Sequence, residues 1–258
     1  MQDLYLKALG IMQWVERDYI APAPPVALPD PPMKPLVIAA PITTNSPPID
    51  TTTQRVDAST TMDLSNPRLI VDQIMNHDQN ALDKWVQLKN SVQHCQGCAS
   101  AERRVHAVFG KGRAVTNLQT LPKILFVLSS PSREEDLQGD VLVGKNQLLF
   151  NQVLDALKIP KTSVFVTHAT KCKSDIDTPN FDACSPYLHA QITLLNPEVI
   201  VLMGIDSVSV NALNTHLMHI HSPIHLIQTI SLNSIEFNPL LKKNLWNDLK
   251  RIKTQKLE

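Results

Sequence analysis

The chain has 258 residues, its 24 Lys and Arg balanced by 24 Asp and Glu, with a pI near 7.1. That length suits one substantial domain with extensions, and a formal charge of zero lacks the broad positive field of a tight non-specific nucleic-acid binder. The start carries no basic region or long apolar core of a signal peptide, and no apolar run reaches membrane-spanning length, since residues 36–40 stop at Pro41; the expectation is a soluble, cytoplasmic protein with no membrane association.

Residues 3–17 are a short apolar stretch in which Tyr5, Leu9 and Met12 share one face at helical spacing. Gly10 favours one turn followed by an extended piece. Residues 22–48 then hold ten of the 19 prolines, and the polar run 50–55 follows. Such a composition buries too little apolar surface to offset its ordering entropy. The expected organisation is a partner-binding peptide over 1–18, a proline-rich tether over 19–66, and a main domain over 67–258.

Residues 68–93 have helical spacing, with a break around 76–78, and deliver the chain to Cys95. Beyond it, apolar strands alternate with helices. Strands are expected over 123–128, 163–167, 198–203 and 224–230, and helices over 144–157, 183–195, 206–213 and 239–252. Near-continuous apolar strands interleaved with helices imply a mainly parallel four-stranded sheet covered on both faces, a three-layer α/β/α domain. Ligands of such sheets bind beyond the carboxyl ends of the strands. Those ends fall at residues 129–132, His168, Gly204 and Ser231.

The chain has four cysteines: Cys95 and Cys98 in a Cys-x-x-Cys knuckle, and the distant Cys172 and Cys184. A knuckle completed by two remote thiols is how a chain builds a Cys₄ site for an iron–sulfur cluster or for zinc. Disulfides or four inert thiols are the plainer readings, and disulfides need an oxidising compartment. His219, His221 and His225 have the spacing of a strand approach rather than of a metal site. Glu134, Glu135 and Asp136 are expected to be loop charges rather than an acid/base cluster.

From Cys95 to about Ile252 the sequence resembles the iron–sulfur uracil-DNA glycosylases of family 4. The resemblance is carried by Cys95-Gln96-Gly97-Cys98 with Arg103-Arg104 and Phe109-Gly110-Lys111-Gly112. Further matches are Glu134-Glu135-Asp136 with Gly139 and Val143-Gly144, Lys171-Cys172-Lys173, Cys184-x-Pro186-Tyr187-Leu188, and Asn238-Pro239 with Trp246. It implies that Cys95, Cys98, Cys172 and Cys184 ligate a [4Fe–4S] cluster. It also exposes departures. Leu128-Ser129-Ser130-Pro131-Ser132 stands where the family has Gly-Glu-Ala-Pro-Gly. The family's uracil-stacking phenylalanine falls at Leu142, its base-reading asparagine at His168, and its charge-stabilising histidine at Ser231. Ser129, Ser130, Leu142, His168 and Ser231 thus outline a degenerate pocket.

The N-terminal residues Tyr5, Leu6, Leu9, Gly10, Ile11, Trp14 and Arg17 resemble the start of the psi subunit of bacterial DNA polymerase III. That resemblance implies docking on the clamp loader through residues 3–17, contact with the chi subunit through the main domain, and at most weak DNA contact. The two resemblances together give the expectation of a non-catalytic replication accessory protein with a glycosylase-like body. The alternative is a divergent iron–sulfur glycosylase that excises uracil or a damaged base.

Overall fold

The three inner strands of the central sheet alternate their side chains between two apolar layers. The chain is described here by a computed structural model over residues 64–112, 121–173, 181–206, 209–210 and 224–254. β1 is Lys111–Gly112, β2 Ile124–Leu128, β3 Val164–His168, β4 Val199–Met203 and β5 His225–Thr229, in the order β1-β3-β2-β4-β5. β2, β3, β4 and β5 run parallel, and β1 pairs antiparallel with β3. The sheet therefore has five strands rather than the expected four. The missing one is a two-residue edge strand, too short to show any hydrophobic period.

The alternation decides the layers. Ile124, Phe126, Val164, Val166, Val199 and Val201 enter one core. Leu125, Val127, Phe165, Ile200 and Leu202 enter the other. The first core is covered by α5 (Gly144–Ala156), α7 (Leu232–Phe237), α8 (Lys242–Leu249) and α9 (Arg251–Thr254). The second is covered by α1 (Pro67–Asn76), α2 (Ala81–His94) and α6 (Phe181–Leu195). Both faces are buried, which gives the expected α/β/α sandwich. Two shorter helices, α3 (Ser100–Arg103) and α4 (Arg133–Gln138), lie in connections.

The helix starts follow local chemistry. Asn66 caps α1, its side chain accepting from the Leu69 N–H, with Pro67 in the first turn. Asn80 caps α2 by accepting from the Asp83 N–H. The break expected near 76–78 is the gap between these helices. The closing segment expected as one helix over 239–252 is a 3₁₀ turn, Pro239–Leu241, followed by α8 and α9. Most of the helix expected over 206–213 lies outside the described residues.

After β2 the chain moves to β3 on one side, and after β4 it moves to β5 on the other. The carboxyl ends of β2 and β4 therefore border the crevice where doubly wound sheets bind ligands. Among the described residues, no helix is long and apolar enough to cross a membrane.

Trp85 fixes α2 to the sheet. Its ring meets Phe109 edge-on at 5.0 Å and Phe165 at 5.3 Å, and it is buried. Trp85→Ala is expected to cost about 3–5 kcal/mol, as for other large-to-small core changes, measured by urea unfolding monitored by circular dichroism.

Candidate functional site

Strand register brings the pocket positions together. Leu128 pairs with both His168 and Met203, and Met203 pairs with Thr229. Ser129, His168, Gly204 and Ser231 therefore lie along one edge of the sheet, as the sequence implied. The approach at one point is close. Gly204 has φ +67°, and a Cβ built there would sit 2.5 Å from the Ser231 Cβ, so only glycine fits. Ser231 also caps α7, its hydroxyl accepting from the Ser234 N–H at 3.0 Å.

Glu135 ties this edge to the loop carrying Leu142. Ser132 and Glu135 form a capping box on α4: the Ser132 hydroxyl accepts the Glu135 N–H, and the Glu135 carboxylate accepts the Ser132 N–H at 2.7 Å. The same carboxylate accepts the Leu142 N–H at 2.7 Å and faces His168 Nε2 at 3.3 Å. Leu142 sits at φ 53°, a left-handed conformation rare for a bulky residue, and the bond to Glu135 holds it there. Its side chain packs into the apolar core with Phe150 and Val166, beside a cavity of about 140 Å³.

Burial alone would raise the Glu135 pKa. The hydrogen bond and charge of His168 and the two backbone N–H groups outweigh it, holding the group at about 2. Burial pushes His168 below its ordinary value, Glu135 pulls it back and Lys171 pushes it down again. The pair is best described as a carboxylate beside a neutral imidazole, since backbone donors already satisfy the carboxylate and a lysine stands nearby. The carboxylate then selects the tautomer with its proton on Nε2. His168 Nδ1 is left as a buried acceptor with no hydrogen-bond partner among the described residues.

These findings correct the expectation of loop charges at 134–136. Glu135 and Asp136 are buried within α4. The Asp136 carboxylate accepts the backbone N–H groups of Val105 and His106 at 3.0 and 3.2 Å, anchoring the segment that follows the knuckle.

The four thiols form no disulfide, and three are buried. Burial raises the Cys172 thiol, Arg104 pulls it down, and Cys98 and Cys95 raise it further. Cys184 is pushed by burial to about 12, with Cys172 and Cys98 among the groups acting on it. The four thiols thus lie within each other's electrostatic reach. Among the described residues, no group of three or more His, Cys, Asp or Glu side chains is arranged to hold a metal ion. The thiols share a neighbourhood without closing around one point. Arg104 Nη1 donates to Cys172 Sγ at 3.0 Å and Nη2 to the Cys95 carbonyl at 2.8 Å. Gly97 lets the knuckle turn against Pro67, since a Cβ there would sit 2.6 Å from the proline ring.

Lys171 precedes Cys172 in the Lys171-Cys172-Lys173 motif. It is buried, and its Nζ donates at 2.7 Å to Thr167 Oγ1, the His168 carbonyl and Gln191 Oε1, all neutral acceptors. Burial lowers its pKa to about 7, with Cys184 and Cys172 pulling it up. Its ammonium thus links the end of β3 to the thiols. His225 is exposed at the start of β5, while His219 and His221 lie outside the described residues.

The uracil DNA glycosylase superfamily model matches residues 116–250. The chain belongs to that superfamily. It is similar to the type-4 uracil-DNA glycosylase of Sulfurisphaera tokodaii, 32% identical over 130 residues, covering 48% of this chain and 56% of the relative. It is also similar to the type-4 uracil-DNA glycosylase of Thermotoga maritima, 34% identical over 122 residues, covering 46% and 60%. That of Saccharolobus solfataricus is 30% identical over 133 residues, covering 50% and 59%. The chain thus spans between half and two thirds of the length of these curated relatives.

These matches overturn the expectation of a non-catalytic polymerase accessory subunit. The relatives are enzymes by name, and none of the matches supports a psi, chi or clamp-loader assignment. A match over a whole domain outweighs the differences at Ser129, Ser130, Leu142, His168 and Ser231. The residues expected to dock on the clamp loader, Tyr5, Leu6, Leu9, Gly10, Ile11, Trp14 and Arg17, lie outside the described residues.

The Glu135 pKa, about 2 against an ordinary 4.5, makes a prediction about acid stability. A lowered carboxyl pKa stabilises the fold above pH 4.5, and this contribution, about 3 kcal/mol, drains away as pH falls toward 2. Glu135→Gln is expected to be less stable than the wild type at neutral pH by roughly 2–3 kcal/mol and to lack that part of the acid slope. Urea titrations at pH 7 and pH 3 measure both, and an unchanged slope contradicts the assignment.

Proposed function

We propose that the protein is a DNA glycosylase that excises uracil or a related damaged base, with Cys95, Cys98, Cys172 and Cys184 holding a [4Fe–4S] cluster. The observation that carries this reading is the superfamily match over residues 116–250, which spans every strand of the parallel sheet. Type-4 uracil-DNA glycosylases among the relatives favour uracil as the first base to test.

Excision requires a base turned out of the stack into a closed site. The glycosidic bond then breaks with its electron pair leaving on the base, and water adds to the sugar carbon. Donors aimed at the leaving base stabilise that charge. On this reading the donors would come from Ser129, Ser130 and Ser231 at the carboxyl ends of the strands, the Ser231 hydroxyl giving up its bond with Ser234 Oγ to do so. His168 and Glu135 supply a rigid polar floor. A serine at 231 is a weaker partner for the leaving anion than a charged imidazole, so excision is expected to be slow. Ser231→Ala should lower it further, by up to about 100-fold, the lower end for a placed oxyanion donor.

The chemistry around the thiols supports a metal group. Four thiolates on a metal centre carry net negative charge, and two cations stand near them: Arg104 bonded to Cys172 Sγ, and Lys171, whose acceptors among the described residues are neutral oxygens. Such a cluster would supply a cross-link between the knuckle, the segment after β3 and α6. Zinc on the same four thiolates is the alternative.

Two measurements test the reading. Protein purified without oxygen is expected to contain iron and sulfide. Cys98→Ala should lose both and unfold more readily, because binding energy at such a site is also folding energy. Zinc in place of iron would contradict the cluster assignment. Single-stranded oligonucleotides containing uracil or hypoxanthine should acquire alkali-labile sites on incubation. Intact oligonucleotides after long incubation with metal-loaded protein would contradict the enzymatic reading.

A further inference from the structure

Between α5 and the sheet edge formed by β1 and β3 lies the cavity of about 140 Å³. Its wall is apolar: Phe150 and Leu154 of α5 and Val164 and Val166 of β3 line it, all of them buried. Leu142 belongs to the wall as well, but Ser129, His168 and Ser231 do not, so the cavity is separate from the carboxyl-end positions of the candidate site. Packed interiors hold few voids larger than a water molecule, and an apolar space of this size calls for an occupant. The lining side chains that reach solvent are polar: Lys111, Gln147, Asn151 and Lys161. Gln147 and Asn151 stand four residues apart on α5 and so share a face. Neither of their amides, nor the Lys161 ammonium, has a side-chain hydrogen bond among the described residues. Lys111 is already paired with Asp140, and no carboxylate lines the cavity. One uncompensated positive charge, on Lys161, therefore stands at the mouth of an apolar space.

We propose that this cavity binds a small aromatic carboxylate, with its ring inward and its carboxylate at the mouth. Volume selects the ring, since an apolar protein cavity of about 150 Å³ takes up benzene. The wall selects against a polar ring: a nucleobase or sugar would bury N–H, C=O or hydroxyl groups against Phe150, Leu154 and the two valines without partners, which is costly. Charge selects the head. A single free ammonium matches a monoanion better than a doubly charged phosphate, and the amide N–H groups of Gln147 and Asn151 are further donors to it. An apolar pocket with a few convergent polar groups is the usual form of a small-molecule site. The inference goes beyond the glycosylase reading and does not depend on it.

The test titrates full-length, metal-loaded protein with 4-fluorobenzoate and, separately, with neutral 4-fluorobenzyl alcohol, each followed by ¹⁹F NMR. The carboxylate is expected to bind saturably with a Kd of about 1 mM or below, a fair affinity for so small a ligand. The alcohol should bind roughly 10-fold more weakly, the loss of one charge-assisted hydrogen bond. Lys161→Ala should weaken the carboxylate by the same factor, about 10-fold, and leave the alcohol within about 2-fold. Asn151→Trp and Gln147→Trp, each placing a large ring at the mouth from a partly exposed position, should abolish binding of both probes, and either one that folds by circular dichroism suffices. Lys243→Ala, exposed on α8, should change neither. A wild type that binds neither probe at about 10 mM, ten times the expected Kd, overturns the inference. Binding that survives a folded tryptophan variant overturns it too, because the probe would then sit elsewhere. Equal binding of carboxylate and alcohol, or equal weakening of both in Lys161→Ala, overturns the ligand class. Uracil excision, present or absent, bears on the glycosylase reading alone.

Discussion

One buried carboxylate organises the candidate site. Glu135 accepts the N–H groups of Ser132 and Leu142 and faces His168 Nε2, so a single side chain joins the loop after β2, the loop before α5 and the end of β3. Each of those segments contributes a pocket position. Without the carboxylate, Leu142 has no reason to keep its left-handed backbone, and the imidazole has no partner to choose its tautomer. Three donors on one ionised group also explain why it stays charged while buried.

The sheet was legible because parallel strands buried on both faces appear as continuous apolar runs, and 124–128, 164–168 and 199–203 do so. The carboxyl-end positions followed from topology alone. β1 was illegible: two residues, Lys111 and Gly112, are exposed and carry no pattern. The Glu135 role was half legible. Ser132-x-x-Glu135 is the capping-box signature, which marks the start of a helix, yet the place of residues 134–136 in the family pattern pointed to loop charges. Nothing local reveals that Lys171 is buried. Its acceptors Thr167 and Gln191 lie on β3 and α6, and only the packed sandwich brings them together.

The thiol region and the candidate site are physically continuous. Arg104 bonds Cys172 Sγ, Lys171 holds the His168 carbonyl within electrostatic reach of the Cys172 and Cys184 thiols, and Asp136 holds the chain that leaves the knuckle. A group bound on the cysteines would therefore brace the floor of the pocket as well as the knuckle. This gives the four-cysteine set a mechanical purpose that needs no electron transfer.

The central claim is that Glu135 fixes His168 as a neutral imidazole protonated on Nε2. Long-range ¹H–¹⁵N correlation spectra of histidine-labelled protein, with the His168 signals identified by their loss in His168→Asn, report this directly. The account predicts at neutral pH a protonated Nε2 and a bare Nδ1 with the nitrogen shift of an unprotonated ring atom. A proton on Nδ1, or an imidazolium with both nitrogens protonated, would contradict it.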